Sequence, residues 1–123
     1  MKNARNIKKG LLALCLALAG LVNANAANLY CTGKISRVYL SNNGDVFFHT
    51  TWRGDYVFAC NMVSTVNNIN PSVCKGWYAS AVAAAQTQAS TIMFFPDTSV
   101  PSCDVMPDYN NASPVGYFMY MVN

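Results

Sequence analysis

Four cysteines, Cys31, Cys60, Cys74 and Cys103, fall within a mature-length stretch of 97 residues, and they limit the fold more than any other feature. A domain of that size buries only about 60–65% of its unfolded surface, so its core alone gives marginal stability. Two bridges would add about 3–4.5 kcal/mol each in the chain-entropy model, comparable to the whole net stability of such a domain. Four cysteines allow three pairings. Cys60–Cys74 with Cys31–Cys103 is favoured, because the first closes a compact local loop and the second ties the first strand to a late loop. Zinc is disfavoured, since there is no C-x-x-C pair and only one histidine.

Bridges require an oxidising compartment, and the N-terminus supplies the expectation of one. Residues 1–10 carry Lys2, Arg5, Lys8 and Lys9, Leu11 to Val22 is apolar, and Ala24-Asn25-Ala26 has small-x-small cleavage character. This pattern reads as a secretory signal peptide over 1–26, with a single domain over 27–123. The apolar run is too short to span a bilayer, and Cys15 lies within it. The expected location is therefore periplasmic or secreted, with no membrane span after cleavage. Beyond the leader, Lys34, Arg37, Arg53 and Lys75 stand against Asp45, Asp55, Asp97, Asp104 and Asp108, a net charge of −1. Nucleic-acid binding needs a basic stripe, so that class is excluded.

Strands are expected over 29–40, 46–52 and 56–62, with Asn43-Gly44 and Arg53-Gly54-Asp55 as turns. Alternation puts Val46, Phe48, Thr50 and Trp52 on one face, and Phe47, His49 and Thr51 on the other. Tyr56, Phe58 and Cys60 are expected to share a face. Asn70-Pro71 opens a helix running to Ala89. Val73, Trp77 and Ala81 are placed on one helical face, with Cys74, Tyr78 and Val82 beside it. A short strand over 91–95 precedes a Pro-rich loop to Pro114 pinned by Cys103, and a last strand covers 116–122. The order βββαββ is mostly β with one helix and matches a small OB-like five-stranded barrel.

In this frame, Phe58-Ala59-Cys60, the polar loop to Cys74, Trp77 on a helix and the strand Thr91–Phe95 resemble the B subunits of subtilase-cytotoxin and typhoid-toxin type over residues 56–95. The resemblance implies an exported OB fold, a homo-oligomer and binding of host glycans. The first strands and the Pro-rich stretch depart from that pattern, and no glycan-contacting residue of that family maps onto this chain.

The residues argue against an enzyme. There is no glutamate, Asp104 and Asp108 lie on a loop, His49 is the lone general-base candidate, and no G-x-S-x-G elbow occurs. No cofactor is implied. The Arg53-Gly54-Asp55 triplet is read as turn chemistry, and Asn111-Ala112-Ser113 is discounted as a glycosylation site. The small residues of the helix fit close packing on the sheet, with helix–helix assembly as the second reading.

What is abundant is aromatic surface: seven Tyr, six Phe and two Trp all follow the leader. Sugar sites combine ring faces with amides and carboxylates. Trp52, Arg53, Tyr56 and Tyr109 are accordingly the expected ligand-binding residues, flanked by the loops 41–45 and 96–115. Glycan binding is the leading expectation. An inhibitor of a lysozyme or protease, using the Pro-rich loop as a wedge, and a ligand-free envelope protein are the alternatives.

Overall fold

A computed structural model describes residues 26–109 and 113–122. Apart from Ala26, the expected leader lies outside the described residues, as do Asn111 and Ala112. Five antiparallel strands and one helix follow the expected order: β1 (Ala27–Leu40), β2 (Asp45–Thr50), β3 (Tyr56–Asn61), α1 (Pro71–Thr87), β4 (Ser90–Thr98) and β5 (Phe118–Val122). A single 3-10 turn, Cys103–Val105, interrupts the loop before β5. No helix among the described residues is long and apolar enough to cross a membrane.

The sheet order is β3-β2-β1-β4-β5, and β1 is the strand on which it turns. Its first half, Ala27 to Lys34, pairs with β4, and its second half, Ile35 to Leu40, pairs with β2. Ser36 is an extra residue at the changeover, a bulge that bends the strand and lets it serve both half-sheets. Gly33 sits just before this bend. A Cβ there would lie 2.5 Å from Thr51 Oγ1 and 3.1 Å from Trp52 Cδ1, so only glycine lets the β2–β3 turn approach. Reciprocal hydrogen bonds of 2.9 Å, Lys34 N to Thr51 Oγ1 and Thr51 N to Lys34 O, fix that approach.

The sheet is open. β3 and β5 are its two edges and do not pair with one another among the described residues, so the described strands do not close the expected barrel. Helix α1 occupies the space between the edges, contacting β1, β2, β3 and β5. Asn70 caps it by accepting from Ser72 N at 2.9 Å, with Pro71 at the first turn, as the sequence suggested. Its buried seam is Cys74, Trp77, Ala81 and Ala84, whereas Val73 is exposed. The buried seam thus takes Trp77 and Ala81 from one expected face and Cys74 from the adjacent one, where Cys74 is bonded to Cys60 of β3.

A second bulge corrects β3. Val46 pairs with Cys60 but Phe47 pairs with Phe58, so Ala59 is extra. Tyr56 and Phe58 consequently point to the outer face while Cys60 joins the core beside Val46, Phe48 and Val57, and the three do not share a face. β2 ends at Thr50, leaving Trp52 in the turn rather than on the strand. β4 runs past the expected stop at Phe95, because Pro96 and Asp97 form a bulge opposite Asn28, a position where Pro is tolerated in a strand. Asp97 N donates instead to Asn28 Oδ1 at 3.2 Å.

Cys31 bonds Cys103 and Cys60 bonds Cys74, with Cα–Cα distances of 5.6 Å in both. The first bridge anchors the loop between β4 and β5 to the centre of the sheet. The second fastens α1 to β3.

Candidate functional site

The outer face of the β1–β2–β3 half-sheet carries rows of side chains set by register. Tyr39, Phe47 and Phe58 form one row, and Arg37, His49 and Tyr56 the next. Tyr109 reaches this face from the β4–β5 loop, where its N–H donates to Tyr56 O at 3.2 Å. Ring centroids then close a circuit: Tyr39–Phe47 5.7 Å, Phe47–Tyr109 5.5 Å, Tyr109–Tyr56 5.0 Å and Tyr56–Tyr39 6.3 Å.

These rings bound a cleft of about 460 Å³. Phe47, 7% exposed, forms its floor, while Tyr39 and Tyr109, 48% and 54% exposed, present ring surface to solvent. The β1–β2 turn supplies the polar side: Ser41, Asn43 and Asp45. Their order is fixed by a local network. Ser41 Oγ donates to Asn43 Oδ1 and accepts from Asp45 N at 3.0 Å, and Asn43 Nδ2 donates to Asp45 Oδ2 at 2.7 Å. Asn61 Nδ2 donates to Asp45 Oδ1 at 2.8 Å and to Asn43 O at 3.1 Å, tying the turn to the end of β3. Gly44, at φ +90°, takes the left-handed position this turn requires.

Tyr109 is held in an unfavourable backbone conformation, φ +42°, which costs a non-glycine residue about 1–3 kcal/mol. Its neighbours pay that cost. Arg53 Nε donates to Met106 O, Met106 is fully buried, and Cys103 is covalently anchored three residues earlier. Desolvation, followed by the nearby Tyr56, Asp55, Tyr39 and Asp108, raises the Tyr109 phenol above its ordinary pKa. It therefore stays a neutral hydroxyl donor well into alkaline solution.

Of the residues expected from sequence, Tyr56 and Tyr109 meet in this cleft. Arg53 stands behind it as the tether of the 103–109 segment. Trp52 lies elsewhere: its ring meets Phe95 edge-on at 6.4 Å and covers Gly33. Tyr39 and Phe47 are not among the residues expected from sequence, and Asp45 is expected only as part of the flanking loop 41–45. Phe47 alternated off the apolar face in the sequence, and that was the available signal. His49 Nδ1 is 2.7 Å from Ser36 Oγ, and its ring contacts Tyr56 edge-on. No group of three His, Cys, Asp or Glu side chains converges on a metal-sized site among the described residues.

A second aromatic surface lies on the other half-sheet. Tyr30 stacks on Phe94 at 4.6 Å, and Phe94 on Phe118 at 5.1 Å, forming a strip that reaches the edge strand β5. Comparison with known proteins adds nothing to this geometry: no family model, no curated protein and no solved structure matches the chain.

Proposed function

We propose that this is an exported saccharide-binding module whose ligand lies in the cleft of Tyr39, Phe47, Tyr56 and Tyr109. We read the sheet order and helix as an OB-like barrel opened along the β3–β5 seam. β1 pairs with both β2 and β4, and the helix precedes β4, as that fold requires. OB domains bind oligosaccharides on the face of strands 2 and 3, between the loops joining strands 1–2 and 4–5. The observation that carries the proposal is that the cleft draws its residues from those places. Phe47 comes from β2, Tyr56 from β3, Asn43 from the first loop, Asp45 from the junction of that loop with β2, and Tyr109 from the last loop. Ring faces would pack on sugar C–H surfaces, while Asn43, Ser41 and the neutral Tyr109 hydroxyl take sugar hydroxyls.

Binding is non-covalent, and assembly of several copies, as in the toxin B subunits the chain resembles, would raise avidity. Export rests on the leader and on two bridges of the kind that persist in oxidising compartments. The test is a glycan array probed with the oxidised domain and with Tyr56→Ala and Tyr109→Ala, each checked for folding by circular dichroism. Specific hits lost in both variants are expected. An array without hits, or hits retained by both folded variants, overturns the proposal.

A further inference from the structure

The charge of the cleft is unused by stacking and hydroxyl contacts. Asp45 is 8% exposed, and its two carboxylate oxygens accept from the neutral amides of Asn61 and Asn43. No Lys or Arg forms an ion pair with it among the described residues. A carboxylate largely removed from water, and met only by amides, keeps an uncompensated negative field. That field opens into the cleft Asp45 lines. Around the same space stand four aromatic rings, whose faces are the negative ends of their quadrupoles. Asp55 and Asp108 add charge of the same sign close to Tyr109, which helps to raise its phenol.

The cationic side chains lie outside the lining: Arg37 occupies the adjacent cross-strand row, and Arg53 is engaged by Met106 O behind the cleft. An anionic sugar in the cleft would meet a carboxylate and ring faces that both repel it. A neutral sugar would gain stacking and the hydroxyl contacts but nothing from the charge. A protonated amine would gain stacking of its ring, attraction to the aromatic faces and the field of Asp45.

We infer that the cleft selects a saccharide carrying a free ammonium group, an unacetylated amino sugar, over its neutral and acidic counterparts. This rests on the saccharide-binding reading and adds to it the charge of the ligand. The same chemistry is offered by a quaternary ammonium head group without a sugar, so the experiment separates the two sources.

The oxidised domain is titrated calorimetrically, in mildly acidic low-salt buffer, with four probes: a glucosamine tetrasaccharide, its fully N-acetylated twin, a sialylated trisaccharide and choline. The amine oligosaccharide is expected to bind about tenfold more tightly than its acetylated twin, the scale of one partly desolvated cation–π contact. The sialylated probe should show no binding, and added salt should shrink the amine preference. Asp45→Asn should reduce the preference in the same way. Should that variant fail to fold, the salt series on the unaltered protein and Tyr109→Leu, a surface substitution, carry the test. Equal affinity for the amine and acetylated probes overturns the charge inference and leaves the saccharide reading standing. Binding of choline without either tetrasaccharide leaves an ammonium seat and overturns the saccharide reading. No binding of any probe overturns both.

Discussion

Removing one bridge at a time should cost unequal amounts of stability, and the loops they close set the ratio. Cys31–Cys103 spans 72 residues and Cys60–Cys74 spans 14. The chain-entropy relation assigns about 4.4 kcal/mol to the first and about 3.0 kcal/mol to the second at room temperature. With the inner bridge intact, the outer loop is shortened to about 58 residues, which lowers its value by only about 0.2 kcal/mol. Guanidinium unfolding of the Cys31→Ala/Cys103→Ala and Cys60→Ala/Cys74→Ala double variants measures both. With a slope of about 3 kcal/mol/M, the midpoints should fall by about 1.4 M and about 1 M. The outer bridge also holds the segment that carries Tyr109, so its removal should weaken ligand binding as well, while loss of the inner bridge should leave binding nearly intact. An equal or larger stability loss for the inner bridge would refute the loop-length reasoning. Undiminished binding without the outer bridge would refute its role in placing Tyr109.

Three smaller predictions follow from individual contacts. Gly33→Ala drives a methyl group into Thr51 Oγ1 and Trp52 and should lower stability by about 1–3 kcal/mol, measured by the same unfolding assay, with the cleft unaffected. Arg53→Ala removes the donor to Met106 O and should cost about 1 kcal/mol, discounted for the half-exposed guanidinium, while reducing affinity through a looser Tyr109. Asp104 is held below its ordinary pKa by a hydrogen bond from the Ser102 side chain and then by its own backbone amide; a smaller desolvation opposes them, and Arg53 adds the least. Its stabilising effect is therefore present above the ordinary aspartate range and lost as pH falls through the lowered folded value. Asp104→Asn should unfold more easily than wild type at neutral pH and equally in strong acid, and a gap that persists in acid would contradict this.

The parts of the fold legible in the sequence are those set by local chemistry. Asn43-Gly44 forms the first turn, Asn70-Pro71 starts the helix, and the favoured cysteine pairing is the one in the structure. Tertiary geometry decides what was not legible. The bulges at Ser36 and Ala59 shift the side-chain alternation by one residue, and no residue type at either position announces this. Pro96 looks like a strand terminator until Asn28 is placed opposite it. Period places Val73, Trp77 and Ala81 beside Cys74, Tyr78 and Val82, but it does not say where between these two faces the buried seam runs, which the fold shows to be Cys74, Trp77, Ala81 and Ala84.

The candidate site shows the same division. Tyr56 and Tyr109 stand out as aromatics on turn and loop, but their meeting depends on a backbone hydrogen bond between residues 53 positions apart. Trp52 and Arg53 were natural choices as neighbours in a hairpin tip. One packs inward and the other reaches the late loop. The loop 41–45 is legible in the sequence as a flank of the site, and the fold adds which of its side chains line the cleft, Ser41, Asn43 and Asp45.

The account depends on the aromatic cleft being where ligand sits. Ring-proton NMR of the oxidised domain during titration with the glucosamine tetrasaccharide locates the ligand most directly. Saturable shifts confined to Tyr39, Phe47, Tyr56 and Tyr109, with Trp52 and Tyr30 unmoved, are the predicted result. Shifts centred on the Tyr30–Phe94–Phe118 strip, with the four cleft rings silent, would contradict it.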